Sequence, residues 1–124
     1  MSKINPFIKF LGPEDHLQHQ VIMWLKFQYP NLKYHHSPDA SRRSPFERFK
    51  YEYLGSDAGY LDLTFPSLLL AIELKIKPNK VTPSQTEWIE YLNKHGWTAD
   101  VCFTFDQACA MINGAVERFK IDAF

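Results

Sequence analysis

The period at which apolar residues recur changes several times along the chain, and each change marks an element. In "EDHLQHQVIMWLKFQYP", Leu17, Val21, Trp24 and Gln28 share one face of a 3.6-residue repeat, with Leu25 beside them. Gly12-Pro13 puts a proline at the first helical position, Glu14 and Asp15 bring acids into the first turn, and Pro30 stops the helix. "NLKYHHS" has the length of a short strand, and the segment from Pro38 to Ser44, which holds Arg42 and Arg43, reads as a loop. "SPFERFKYEYLG" predicts a short helix with Ser44 as cap, Pro45 inside its start and Gly55 past its end.

From "GYLDLTFPSLLLAIELKIKP" the period drops to two, which predicts strands over 60–65 and 68–77, paired as an antiparallel hairpin turning at Pro66-Ser67. "TPSQTEWIEYLNKHG" then has the signature of a capped helix: Thr82 as N-cap, Pro83 at the first position, Gln85 three after the cap and Gly96 as terminator. "TADVCFTF" is a strand, and Asp106 is the expected cap of a last helix containing Ala108, Met111, Ile112 and Ala115. Strand, helix and strand in that order imply a right-handed crossover, so the strand around Val101 should run parallel to the one carrying Glu73. The pattern predicts an α/β fold, one mixed sheet covered by helices, in a single domain over residues 1–124.

Composition narrows the function. Apolar residues make up 45% of the chain and aromatics 15%, which excludes a disordered chain. Fourteen basic and fourteen acidic residues give a net charge of zero, so bulk charge does not hold a polyanion and any nucleic-acid surface must be local. Its place is suggested by clustering: Arg42, Arg43, Arg48 and Lys50 lie close together, as do Lys75, Lys77 and Lys80, while Asp100, Asp106, Glu117 and Asp122 lie toward the C-terminus. Cys102 and Cys109 form no CxxC pair, so neither a zinc knuckle nor a disulfide framework is indicated. No apolar run reaches the ~20 residues of a membrane span. A soluble, untargeted, intracellular protein of the cytoplasm with no membrane partner is expected.

The hairpin poses the chemical question, because Asp62, Glu73 and Lys75 interrupt an otherwise apolar run. Alternation puts Leu70, Ile72, Leu74 and Ile76 on one side and Leu69, Ala71, Glu73, Lys75 and Lys77 on the other. The first strand divides into Leu61, Leu63 and Phe65 against Tyr60, Asp62 and Thr64, and Asp62 lies opposite Ala71 or Glu73. Either register brings two carboxylates and a lysine to one face. Carboxylates on adjacent strands are suited to a cation such as Mg²⁺, whose oxygen ligands sit at about 2.0–2.1 Å. The neighbouring lysine is suited to orienting a water that attacks a phosphodiester. The competing view is a solvated sheet face with a rim ion pair worth roughly 0–1 kcal/mol.

Neighbouring residues carry the same two-sided reading. Gln85 either reaches back to the strand end or completes a capping box, and Glu14 either supplies a third carboxylate or complements the helix dipole. Gly55 and Gly59, bracketing "GSDAG", either let the backbone approach a substrate or make a turn. His16 and His19 read as a surface pair. His35-His36 reads as structural, with one imidazole within reach of DNA, and Trp24, Trp88 and Trp97 read as packing.

Taken in order, these residues resemble the virus-type replication-repair nucleases, the VRR-NUC branch of the PD-(D/E)XK superfamily. Glu14-x-x-Leu17-Gln18 and Trp24-Leu25 are similar to that family's leading "E…Q…WL" helix, and Arg42-Arg43 falls in its polar loop. Gly59-Tyr60-Leu61-Asp62-Leu63 resembles the "G-x-P-D-L" core, Glu73-Leu74-Lys75 the "E-x-K", and Ser84-Gln85 with Trp88 and Leu92 the "s-x-x-Q" helix. The resemblance runs from about Glu14 to Ile112, and one departure is visible: Leu61 stands where the family has the proline that names the motif. That proline shapes backbone and donates no ligand.

The resemblance implies a restriction-endonuclease-like mixed sheet flanked by helices, and a Mg²⁺- or Mn²⁺-dependent endodeoxyribonuclease without an organic cofactor. It implies Asp62, Glu73, Lys75 and Gln85 in the chemistry, and Glu14, Asp62, Glu73 and the Leu74 carbonyl as metal ligands. Charge clustering adds Arg42, Arg43, Lys77 and Lys80 as DNA contacts. The implied substrate is branched DNA, four-way (Holliday) junctions foremost, in replication, recombination or repair, cut by a homodimer. A phage or prophage origin with action in the host cell is compatible. Two rivals are a catalytically inert nuclease-fold module that binds nucleic acid, and a small α/β domain serving only in protein assembly.

Overall fold

Helix α1 spans Pro13–Gln28 in the computed structural model, which describes residues 3–37, 44–57 and 59–120. Its start is closed by the Asp15 carboxylate, which accepts from the Gly12 N–H at 2.9 Å. Leu17, Val21 and Leu25 are its buried stripe, as the period predicts. Ahead of it, Pro6–Phe10 form a 3₁₀ turn capped by Asn5, which the apolar pattern does not anticipate. Strand β1 is only His35–His36. Helix α2 covers Pro45–Tyr53, with the Ser44 hydroxyl accepting from the Glu47 N–H at 3.2 Å and Gly55 beyond its end at φ +94°.

The hairpin has shorter strands and a longer turn than its apolar pattern predicts. Strand β2 is Leu63–Phe65 and strand β3 is Leu70–Leu74, in place of 60–65 and 68–77. Pro66 has no N–H for the ladder and a fixed φ, so Pro66–Leu68 form a 3₁₀ turn and Leu69 closes it in the left-handed region at φ 47°. The register pairs Leu63 with Ile72 and Phe65 with Leu70. Asp62 precedes the ladder in a bend, and continuing the register one step sets it opposite Glu73, one of the two expected positions.

Helix α3 spans Pro83–Lys94 and strand β4 spans Thr98–Cys102, with Gly96 between them at φ +90°. Helix α4, Phe105–Phe119, is capped by Thr104 in place of the expected Asp106. The chain leaves β4 at Cys102, so Thr104 already has the extended backbone of an N-cap, and its hydroxyl accepts from the Gln107 N–H at 3.1 Å. Asp106 falls in the first turn, where its charge still complements the helix dipole.

The sheet order is β1-β2-β3-β4, with β1, β2 and β3 antiparallel and β3 parallel to β4, as the crossover predicts. Its two faces differ in kind. Leu63, Phe65, Leu70, Ile72 and Leu74 pack against α1 and against Ala108, Ile112, Ala115 and Val116 of α4. The other face carries Ala71 and Ala99 beneath α3, through Leu92 with Trp88, Ile89 and Trp97. Those small side chains bring α3 close, and Glu73 shares their face. Leu61 joins this second cluster, not the side of Leu63 and Phe65 that strict alternation assigns, because the bend at Asp62 breaks the period of two.

Candidate active site

Asp62 is held through every polar atom of its main chain and by its carboxylate. Its N–H donates to Glu73 Oε1 at 3.2 Å, its Oδ2 accepts from the Leu74 N–H at 2.9 Å, and its carbonyl accepts from the Ser37 N–H at 2.9 Å. The His36 Nδ1 lies 3.1 Å from the same carbonyl. A bend takes Asp62 out of the ladder, and these bonds replace the ladder bonds it forgoes.

Glu73, near the end of β3, is 3% exposed. Its Oε2 accepts from Gln85 Nε2 at 2.9 Å and lies 3.6 Å from Lys75 Nζ. Gln85 uses the other end of its amide locally: its Oε1 accepts from the Thr82 N–H at 2.9 Å, and the Thr82 hydroxyl accepts from the Gln85 N–H at 3.2 Å. The capping box and the reach to the strand end are therefore the work of one side chain.

Electrostatics follow from burial. Loss of water pushes the Glu73 carboxyl up to about 8, with the Asp62 charge adding to the rise and the Lys75 ammonium opposing it. Asp62 is also raised by burial, against the Leu74 N–H, a hydrogen bond to Glu73, and the positive charges of His36 and Lys75. Two carboxyls in contact, both resisting ionisation, with a cation beside them, make a site that gains by taking up further positive charge.

The remaining expected site residues are placed as follows. Glu14 accepts from Asn79 Nδ2 at 3.0 Å, which ties the start of α1 to the loop after β3. Among the described residues no three His, Cys, Asp or Glu side chains are grouped to hold an ion, so the acidic cluster is the pair Asp62 and Glu73. Lys77 and Lys80 are exposed in the loop following β3, with Lys77 Nζ 5.5 Å from the Phe103 ring centre. Arg42 and Arg43 lie outside the described residues. Gly59 approaches a helix: a Cβ there would meet the Ser84 Cβ at 2.4 Å and its carbonyl carbon at 2.9 Å. The glycine thus serves the seating of α3, one residue before Gln85.

His36, read from the sequence as structural with one imidazole of the pair within reach of DNA, is a neighbour of Asp62 that the sequence did not connect with it. Its signal is the strand pairing, His36 with Leu63, which sets it beside Asp62, and a two-residue strand leaves almost no periodicity from which to read that pairing.

No protein-family model matches the chain, and no curated protein matches it. Among solved structures, one described as a "VRR_NUC domain protein" superposes on 86% of this chain and 90% of its own, with a TM-score of 0.70 and 30% sequence identity. No helix among the described residues is long and apolar enough to cross a membrane.

Proposed function

The chain belongs to the VRR-NUC domain family, and on that premise we propose that it is a divalent-metal-dependent DNA endonuclease. As one nuclease domain, it hydrolyses phosphodiester bonds in branched DNA, four-way junctions foremost, as a homodimer. The observation that carries this reading is the meeting of Asp62 and Glu73, with Lys75 Nζ 3.6 Å and Gln85 Nε2 2.9 Å from Glu73 Oε2. An inert descendant has no reason to keep all four.

The donor set suits a hard cation. Asp62 and Glu73 offer carboxylate oxygens, and the Leu74 carbonyl lies on the same side of β3 as its N–H, which already bonds Asp62. These three would hold Mg²⁺ or Mn²⁺, and Glu14 would join them on release from Asn79. Such an ion supplies Lewis acidity to a phosphoryl oxygen and makes water nucleophilic near neutral pH.

The protein's own groups do the rest. Lys75, anchored by Glu73, orients the attacking water and offsets charge on the phosphate. Gln85 fixes the Glu73 carboxylate from α3, and the surrounding core keeps bulk water from it. Arg42, Arg43, Lys77 and Lys80 hold the phosphate backbone, and a two-fold dimer sets two such sites on one junction. The test is a cleavage assay over junctions, flaps, nicked and linear duplexes with Mg²⁺, Mn²⁺ or EDTA. Metal-dependent incision of branched DNA is expected, whereas binding without incision in every metal would leave the inert module.

A further inference from the structure

We propose that His36 is a positioning residue for this site, its imidazole holding the Asp62 main-chain carbonyl and, through it, the aim of the Asp62 carboxylate. The inference rests on the reading of Asp62 as a metal ligand. A carbonyl only accepts, so at 3.1 Å the His36 Nδ1 must carry a proton, and the neutral ring in this contact is the Nδ1–H tautomer.

Three features say what this bond does. Asp62 stands before the first paired residue of β2, Leu63, so its own Cα and N–H lie outside the β2–β3 ladder. Its carbonyl is gripped by two donors from one segment, the Ser37 N–H and the His36 ring, while its carboxylate reaches across to Leu74. A peptide plane held at one end by two donors does not swing, and the Cα–Cβ bond beside it keeps its direction. The third feature is the exposure of His36 on an edge strand of two residues. An exposed imidazole there fills no core, so packing does not account for its orientation.

The test compares His36→Asn, whose side-chain amide N–H takes the place of Nδ1, with His36→Gln, whose amide is placed like Nε2, and with His36→Ala. In metal-free protein, imidazole ¹⁵N NMR in alkaline buffer should show the Nδ1–H tautomer at His36. In calorimetric Mn²⁺ titrations without DNA, the Ala and Gln variants should bind about 10-fold more weakly, and the Asn variant close to wild type. With a cleavable junction, the same ranking should appear in kcat with KM unchanged. An Nε2–H tautomer, an Asn variant as weak as Ala, or Mn²⁺ affinity indifferent to all three substitutions would overturn the inference. Asp62→Asn separates the two layers of the argument. If that variant binds Mn²⁺ normally, the metal-site reading itself fails; if it does not bind and His36→Ala binds as tightly as wild type, only the role of His36 falls.

Discussion

Replacing Glu73 by glutamine in metal-free protein measures how strongly the fold resists a charge at this position. With its carboxyl raised from 4.5 to about 8, the folded state holds a proton that the unfolded chain releases. The sign is that of a raised acid: the stabilisation is fully present below the unfolded value and is lost as pH rises through the folded one. At roughly 1.4 kcal/mol per pH unit, the Glu73 contribution falls by about 4 kcal/mol between about pH 5 and about pH 8.5. Glutamine cannot ionise, so Glu73→Gln should lack that fall.

The assay is urea unfolding of both proteins in EDTA at the two pH values. The double difference, wild type minus variant at one pH minus the same at the other, cancels every group that titrates alike in both. Wild type should lose stability relative to the variant by about 4 kcal/mol at the higher pH. Mn²⁺ at about 100 times its Kd should return about 2.7 kcal/mol to wild type and little to the variant. A double difference near zero would refute the reasoning, since it would mean that water or a neighbouring charge already compensates the ionised Glu73.

Other outcomes follow from the same contacts. Asp62→Asn should abolish cleavage with the circular dichroism spectrum and DNA affinity retained; full activity would remove Asp62 from the chemistry. Lys75→Ala should lower kcat by orders of magnitude while Lys77→Ala, exposed and over Phe103, should act on DNA affinity; equal small effects in single-turnover kinetics would contradict this. Gln85→Glu keeps an acceptor for the Thr82 N–H and turns a carboxylate toward Glu73, so thermal melting should show an intact cap while the cleavage rate falls at least about tenfold; an unchanged rate would reduce Gln85 to a cap worth ~1 kcal/mol. Gly59→Ala drives a Cβ to within 2.4 Å of the Ser84 Cβ and should cost about 1–3 kcal/mol in urea unfolding, with Gly59→Ala and Ser84→Gly together recovering part of the loss.

Sequence alone was sufficient to bring the candidate residues to one face wherever a periodic pattern carries the information. Alternation along β3 put Glu73 and Lys75 opposite Leu70, Ile72 and Leu74, and the mixed sheet followed from the crossover between β3 and β4. It failed where a single residue breaks the period. Pro66 turned an assumed tight hairpin into a 3₁₀ turn with a left-handed Leu69, and the bend at Asp62 sent Leu61 to the α3 face. The short strand expected in "NLKYHHS" is there as β1, but its pairing and the hold of His36 on Asp62 were not legible, because two residues have no period and the contact joins segments 26 residues apart.

Gln85 shows a subtler limit. Its position three after Thr82 was legible as a capping box, and its position after the E-x-K strand as a reach toward the acid, and sequence sets these readings against each other. An amide, however, has an acceptor end and a donor end. The helix start needs only an acceptor for the Thr82 N–H, and a buried carboxylate needs only a donor. Ala71 and Ala99 let α3 sit low on the sheet, and the close approach of Gly59 to Ser84 seats its first turn. At that height Gln85 spans both partners at 2.9 Å. Glutamate at this position would cap as well and would repel Glu73, and asparagine is one methylene shorter. The residue type is therefore set by two demands from opposite directions, and the cap that orders the helix also orders the acid.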